Sequence, residues 1–181
     1  MPRVFFGLEL PPEITERLMD IRSDIPGAKW QSASQLHITL LFLGSVEEAQ
    51  LTALCDSARD IRLEPFSLQI KSLGCFGSPQ TPRNLWAGVQ PREPLARLRA
   101  SLQGRVEELG FVCESRKFCP HITLSRFKRD AGSVEALLAE NGERAFGQFP
   151  VTEFALFDST PGQTGSVYRV IERFTLQVSP L

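Results

Sequence analysis

The sequence predicts an α+β fold of two pseudo-two-fold-related lobes, with antiparallel sheets flanking a central cleft. Three observations predict it. Short stretches recur in the same order in both halves of the 181 residues. Each half alternates strand-like and helix-like apolar patterns. The composition, 42% hydrophobic and 23% charged, is that of a soluble globular chain long enough to bury a core. Residues 1–181 therefore read as one bilobal domain, with internal repeats over roughly 3–76 and 84–178.

The repeat rests on three matches. Pro11-Pro-Glu-Ile-Thr-Glu-Arg-Leu18 resembles Pro91-Arg-Glu-Pro-Leu-Ala-Arg-Leu98. His37-Ile38-Thr39-Leu40 is identical to His121-Ile122-Thr123-Leu124, and Gly44-Ser-Val-Glu47 to Gly132-Ser-Val-Glu135. The spacing grows slightly from match to match, as loop insertions would cause.

The elements follow in order. An apolar run over 4–10 stops at a double proline and reads as a strand. Ile14, Leu18, Ile21 and Ile25 at helical spacing predict a helix over 12–25, with proline at its start. Residues 36–43 read as a strand. Ser45 and Glu48 predict a capping box opening a helix to about Ile61. A strand over 66–75 closes the first unit. The second repeats the scheme: strand 85–89, helix 93–109, strand 121–127 and a short helix from Ser133. Strands near 151–157 and 167–178 end the chain. Gly77–Arg83 is the expected crossover between lobes, and Pro161–Ser166 an expected flexible loop.

Charge narrows the function classes. Twenty basic residues against 21 acidic ones leave a formal charge of −1. A protein that coats long nucleic acid carries a basic excess, so any nucleic-acid contact should be local, such as a strand end. No apolar run is long enough to span a membrane, and the first residues lack a signal-peptide layout. Cys55, Cys75, Cys113 and Cys119 form no C-x-x-C pair and read as reduced thiols of a cytoplasmic protein. The two tryptophans, Trp30 and Trp86, read as core or interface residues. The repeated Gly-Ser-Val-Glu reads as a helix start.

The only two histidines open the duplicated tetrapeptide. On a strand, i and i+2 share a face. His37 and Thr39 therefore point one way and Ile38 and Leu40 the other, and His121 and Thr123 behave likewise. An axis between the lobes would bring both polar faces to one cleft. One neutral and one protonated imidazole across a phosphate make a general base and a general acid. Threonine hydroxyls can hold phosphate oxygens, and Arg126 can add a fixed charge. Strict alternation puts Arg126 on the face away from His121, so it needs a β-bulge or a strand end. Phe42 holds the corresponding place after the first motif. Tyr168 is a weaker cleft candidate. A lone histidine beside apolar residues is usually structural, but duplication of His and Thr on one face argues against packing alone. Zinc is the other alternative, although no third ligand stands at ligand spacing.

These stretches resemble a known family. Paired H-x-T-x motifs about eighty residues apart mark the two-histidine phosphoesterase superfamily. Arg3–Pro11, Leu36–Gly44, Leu85–Gly88 and Pro120–Arg126 are similar to its RNA 2',3'-cyclic phosphodiesterase branch, formerly called 2'-5' RNA ligases, over nearly the whole chain. The resemblance implies a bilobal, metal-free monomer without a cofactor. It implies hydrolysis of a terminal RNA 2',3'-cyclic phosphate to a 2'-phosphate. His37 would be the proton donor to the 3'-oxygen and His121 the proton acceptor, with Thr39, Thr123 and Arg126 binding phosphate. Some members also join tRNA halves through a 2'-5' bond. Competing readings are a related enzyme acting on a small nucleotide or ADP-ribose cyclic phosphate, and a catalytically idle RNA-binding module.

Overall fold

A computed structural model describes residues 1–113 and 116–178. Val4 to Leu8 are all buried, so β1 (Arg3–Leu8) is an interior strand covered on both faces. It pairs antiparallel with β3 (Ile38–Ser45) on one side and β8 (Glu153–Gly162) on the other, and β9 (Gly165–Thr175) completes a sheet ordered β3-β1-β8-β9. The second sheet runs β2-β6-β5-β4-β7, with β2 Ala28–Trp30, β4 Phe66–Gly77, β5 Pro82–Gln90, β6 His121–Phe127 and β7 Ala145–Val151. Every pairing within both sheets is antiparallel. The expected bilobal α+β architecture is present.

Each sheet takes strands from both halves of the sequence. The first four strands of the second sheet after β2, read β6-β5-β4-β7, occupy places corresponding to β3-β1-β8-β9. Among the described residues four α-helices back the sheets. Helix α1 (Pro12–Met19) packs on β7, α2 (Glu48–Arg59) on β9, α3 (Arg92–Glu108) on β3 and α4 (Glu135–Asn141) on β4. Leu95, Leu98, Leu102 and Val106 form the buried stripe of α3, at the spacing a core-facing helix requires. No helix among the described residues is long and apolar enough to cross a membrane.

Several elements differ from the sequence reading. Gly77–Arg83 is no crossover. It links β4 to β5, neighbours in one sheet, and Gly77 turns there at φ +85°. The single strand expected at 151–157 is two, β7 and β8, which meet at Thr152 and lie in different sheets; the chain changes lobe there. Pro161–Ser166 is a paired hairpin end, with Gly162 opposite Gly165 across a two-residue turn. The first helix stops at Met19 although Ile21 stays buried and Ile25 packs on the core. Pro26 disfavours helix at Ile25, and the Trp30 indole N–H donates to the Ser23 carbonyl, so a loop keeps the apolar spacing. The second helix is capped by Glu47 and Gln50, because β3 continues to Ser45 and the Val46 N–H donates to the Pro2 carbonyl. The fourth helix begins at Glu135, two residues after Ser133, whose hydroxyl accepts the Glu135 N–H. β2 and the 3₁₀ turn Ala33–Gln35 carry too few periodic residues to be read from sequence.

Candidate active site

The two motifs stand where the sheets meet, with β3 and β6 in contact. Their backbones share one irregularity. Between β1 and β3, Gly7 faces Thr39 and Phe6 faces Leu41, so Leu40 is an extra residue. Between β5 and β6, Trp86 faces Thr123 and Leu85 faces Ser125, so Leu124 is the extra one. Each is a β-bulge, and it puts two consecutive side chains into the core: Leu40 with Leu41, and Leu124 with Ser125. The residue after each pair is thereby turned back toward the cleft. This is how Phe42 and Arg126 join the face of their histidines despite the alternation of a regular strand.

The carbonyls of the bulged leucines are satisfied from outside the ladder. Arg99 of α3 donates to the Leu40 oxygen at 3.1 Å. The Gln31 backbone N–H donates to the Leu124 oxygen at 2.9 Å. Gly7 permits the tight pairing beside the first motif; a Cβ there would stand 2.6 Å from the Ile38 carbonyl oxygen.

Both imidazoles are held the same way. His37 Nδ1 lies 2.8 Å from the Gln35 carbonyl, and His121 Nδ1 lies 2.7 Å from the Cys119 carbonyl. A carbonyl only accepts, so each Nδ1 carries the proton and each Nε2 is the exchangeable nitrogen. Their surroundings differ. The His37 ring sits among Phe5, Phe157 and Tyr168, the last edge-on at 4.9 Å between centroids, and its Nε2 is 2.8 Å from the Thr39 hydroxyl. The His121 ring meets Phe76 edge-on at 5.3 Å and lies against Trp86, and its Nε2 has no hydrogen-bond partner among the described residues. Burial lowers the His37 pKa below 6.5; Arg126 and His121 push it the same way, against the raising effect of the Gln35 carbonyl.

A cleft of about 560 Å³ opens over this floor. All seven residues singled out from sequence line it: His37, Thr39, Phe42, His121, Thr123, Arg126 and Tyr168. Among the described residues its lining includes no carboxylate and no thiol. Cys119 contributes a backbone carbonyl to the site. Sequence reasoning missed Arg3, Gln31, Gln35 and Ser166, which also line the cleft. Arg3 stacks over the Phe42 ring at 5.5 Å, and the Gln35 amide donates to the Ser166 carbonyl at 2.9 Å. Arg3 begins the first strand opposite Ser45, so its approach to the Phe42 ring was latent in the pairing of 3–8 with 38–45. Gln31 follows β2 and Gln35 ends the 3₁₀ turn, short segments without periodicity. Trp86 lies half-buried behind His121, while Trp30 packs at the edge of the core.

Known proteins are similar to this chain in sequence and fold over nearly its full length. A LigT-like phosphoesterase family model matches residues 8–86 and 88–168, one motif in each stretch. The RNA 2',3'-cyclic phosphodiesterase of Thermus thermophilus is 35% identical over 187 residues, covering 97% of this chain and 90% of the relative. That of Archaeoglobus fulgidus is 30% identical over 175 residues, covering 95% and 99%. The crystal structure of E. coli LigT complexed with 3'-AMP superposes with a TM-score of 0.81 at 30% identity, covering 97% of this chain and 98% of that one. On the matched family model, the identities and the common fold, the chain belongs to the LigT-like phosphoesterase family.

Proposed function

We propose that the chain hydrolyses the 2',3'-cyclic phosphate at an RNA end to a 2'-phosphate, with His37 and His121 as acid and base. The observation that carries the reading is the convergence of two imidazoles with fixed tautomers, two hydroxyls and one guanidinium on a single cleft floor. The family membership supports it, and so do the activities of the relatives. In this reading His121 Nε2, open to the cleft, takes a proton from water. The water oxygen bonds to phosphorus, and the phosphorus–O3' bond breaks. Protonated His37 delivers its Nε2 proton to the departing O3'. Thr39, Thr123 and Arg126 hold the non-bridging oxygens as charge builds on them. The Thr39 hydroxyl leaves His37 Nε2 to do so. Phe42 and Tyr168 offer ring faces to the terminal base.

Residues 3–76 and 84–178 are then two copies of one unit, each giving one H-x-T-x floor, with later strands exchanged between the sheets. Replacing water by a 5'-hydroxyl runs the same chemistry as 2'-5' ligation, for which tRNA halves are fitting partners. A small cyclic nucleotide is the second reading, because the cleft volume suits about one nucleotide. The test is incubation of an oligoribonucleotide ending in a 2',3'-cyclic phosphate, with the product identified by sensitivity to phosphatase and alkali. A 2'-phosphate end is expected. A 3'-phosphate product would overturn the assignment of the leaving oxygen, and no turnover would overturn the activity.

A further inference from the structure

A side chamber of about 160 Å³ adjoins the cleft and shares Gln31, Gln35, Arg126, Ser166 and Tyr168 with it. Lys29 lines the chamber, directly opposite Arg126 in the β2–β6 pairing. Directly opposed residues share a face with their Cβ atoms about 5 Å apart, where like charges destabilise the pair. No carboxylate lines the chamber, and neither cation has an ion-pair partner among the described residues. Gln31 adds an independent observation. It is 8% exposed, yet its side-chain amide has no hydrogen-bond partner among the described residues and lines both chambers. Its backbone N–H donates to the Leu124 carbonyl, which seats the residue in the chamber lining with the two cations. An unpartnered amide and two opposed cations, with no carboxylate among the described residues of the lining, fit a singly charged, oxygen-rich group.

We infer that this chamber is a second phosphate subsite, which takes the 5'-phosphate of the nucleotide whose cyclic phosphate lies on the histidines. The inference rests on the proposed activity and sharpens its substrate class: an RNA end over a free cyclic nucleoside. Arg126 lines both chambers and stands between the two phosphates of one ribose. Lys29, which lines the side chamber and not the cleft, is the specificity-determining group for the distal phosphate, and Gln31 assists it from the wall the two chambers share.

The experiment compares kcat/KM for adenosine 2',3'-cyclic phosphate, the same compound carrying a 5'-phosphate, and the dinucleotide ApA 2',3'-cyclic phosphate. Wild type should prefer both 5'-phosphorylated substrates. In Lys29→Ala the preference for each should fall about tenfold, through KM, and Lys29→Arg should restore it. The slope of log kcat/KM against log salt for the dinucleotide should flatten by about 0.7 in Lys29→Ala, one phosphate contact on a single strand. Gln31→Leu should reduce the same preference without changing the salt slope. Equal losses on all three substrates, or an unchanged preference, would overturn the subsite. A loss confined to the dinucleotide would assign the chamber to the upstream sugar or base instead. Wild type that turns over none of the three removes the activity itself, a result distinct from wild type that turns over all three alike.

Discussion

The two halves of the cleft begin from the same four residues and end as different chemical environments. In both, the histidine hydrogen-bonds the carbonyl two residues back and a leucine bulges. In the first half the ring is packed by Phe5, Phe157 and Tyr168, and Phe42 follows the bulge. In the second the ring leaves its Nε2 unpartnered among the described residues, and Arg126 follows the bulge. Identical motifs fix which nitrogen works. Burial behind the first motif, with Arg126 from across the cleft, makes the His37 nitrogen hold a proton less readily than a free imidazole.

The largest test removes each half in turn. His37→Ala and His121→Ala should each lower kcat by about 1,000-fold while staying folded, since in the proposed mechanism each supplies one proton transfer. Steady-state kinetics beside circular dichroism would show it. A variant with full activity would break the pairing of roles.

Arg126 tests what the asymmetry does. Arg126→Ala should cost about 100-fold in kcat, as loss of a fixed donor to developing charge does. Arg126→Lys should cost about tenfold, because the charge stays and the planar fork goes. Wild-type rates in both variants would mean that the bulge does not deliver this side chain to the phosphate.

A pH profile then separates the two imidazoles. His37 must be protonated to act as donor, and burial and Arg126 hold its pKa below 6.5. The falling limb of kcat/KM should therefore lie below that value. In Arg126→Ala one lowering influence is gone, so the limb should move to higher pH, only part of the way because burial remains. In kcat the limb should also lie higher, since bound phosphate stabilises the imidazolium. Movement of the rising limb instead would exchange the acid and the base.

Arg99 probes the bulge itself. Arg99→Ala leaves the Leu40 carbonyl without its side-chain donor and should lower stability by about 1–2 kcal/mol, read from urea unfolding. The first half of the cleft should loosen more than the second, whose bulge is tied by a backbone N–H. The smallest expected effect is that of EDTA. Two histidines without a third ligand make a poor zinc site, so rates should not change, and loss of activity restored by added metal would refute this.

Much of this comparison is legible in the sequence. Duplicated His-Ile-Thr-Leu on strand-forming runs dictates that imidazole and hydroxyl share a face opposite an apolar one, because the side-chain period of a strand is two. The bulge could not be read, since it is a relation between a strand and its neighbour. Nothing in Leu40 or Leu124 alone distinguishes an extra residue from a paired one. Arg126 could accordingly be named as a candidate and not placed. The exchange of strands between sheets was hidden for the same reason: Thr152 looks like any residue in a strand, and only pairing partners show that the sheet changes there.

The sequence by itself determined the two-lobed α+β class, the pair of histidines and hydroxyls, and the absence of a basic surplus, because these follow from periodicity, repetition and charge. Tertiary structure alone decided that Phe42 and Arg126 face the cleft, that His37 is the more enclosed ring, and that Lys29 and Gln31 meet beside Arg126. Each of these depends on which strand lies next to which, and hydrogen bonds between residues far apart in the chain set that.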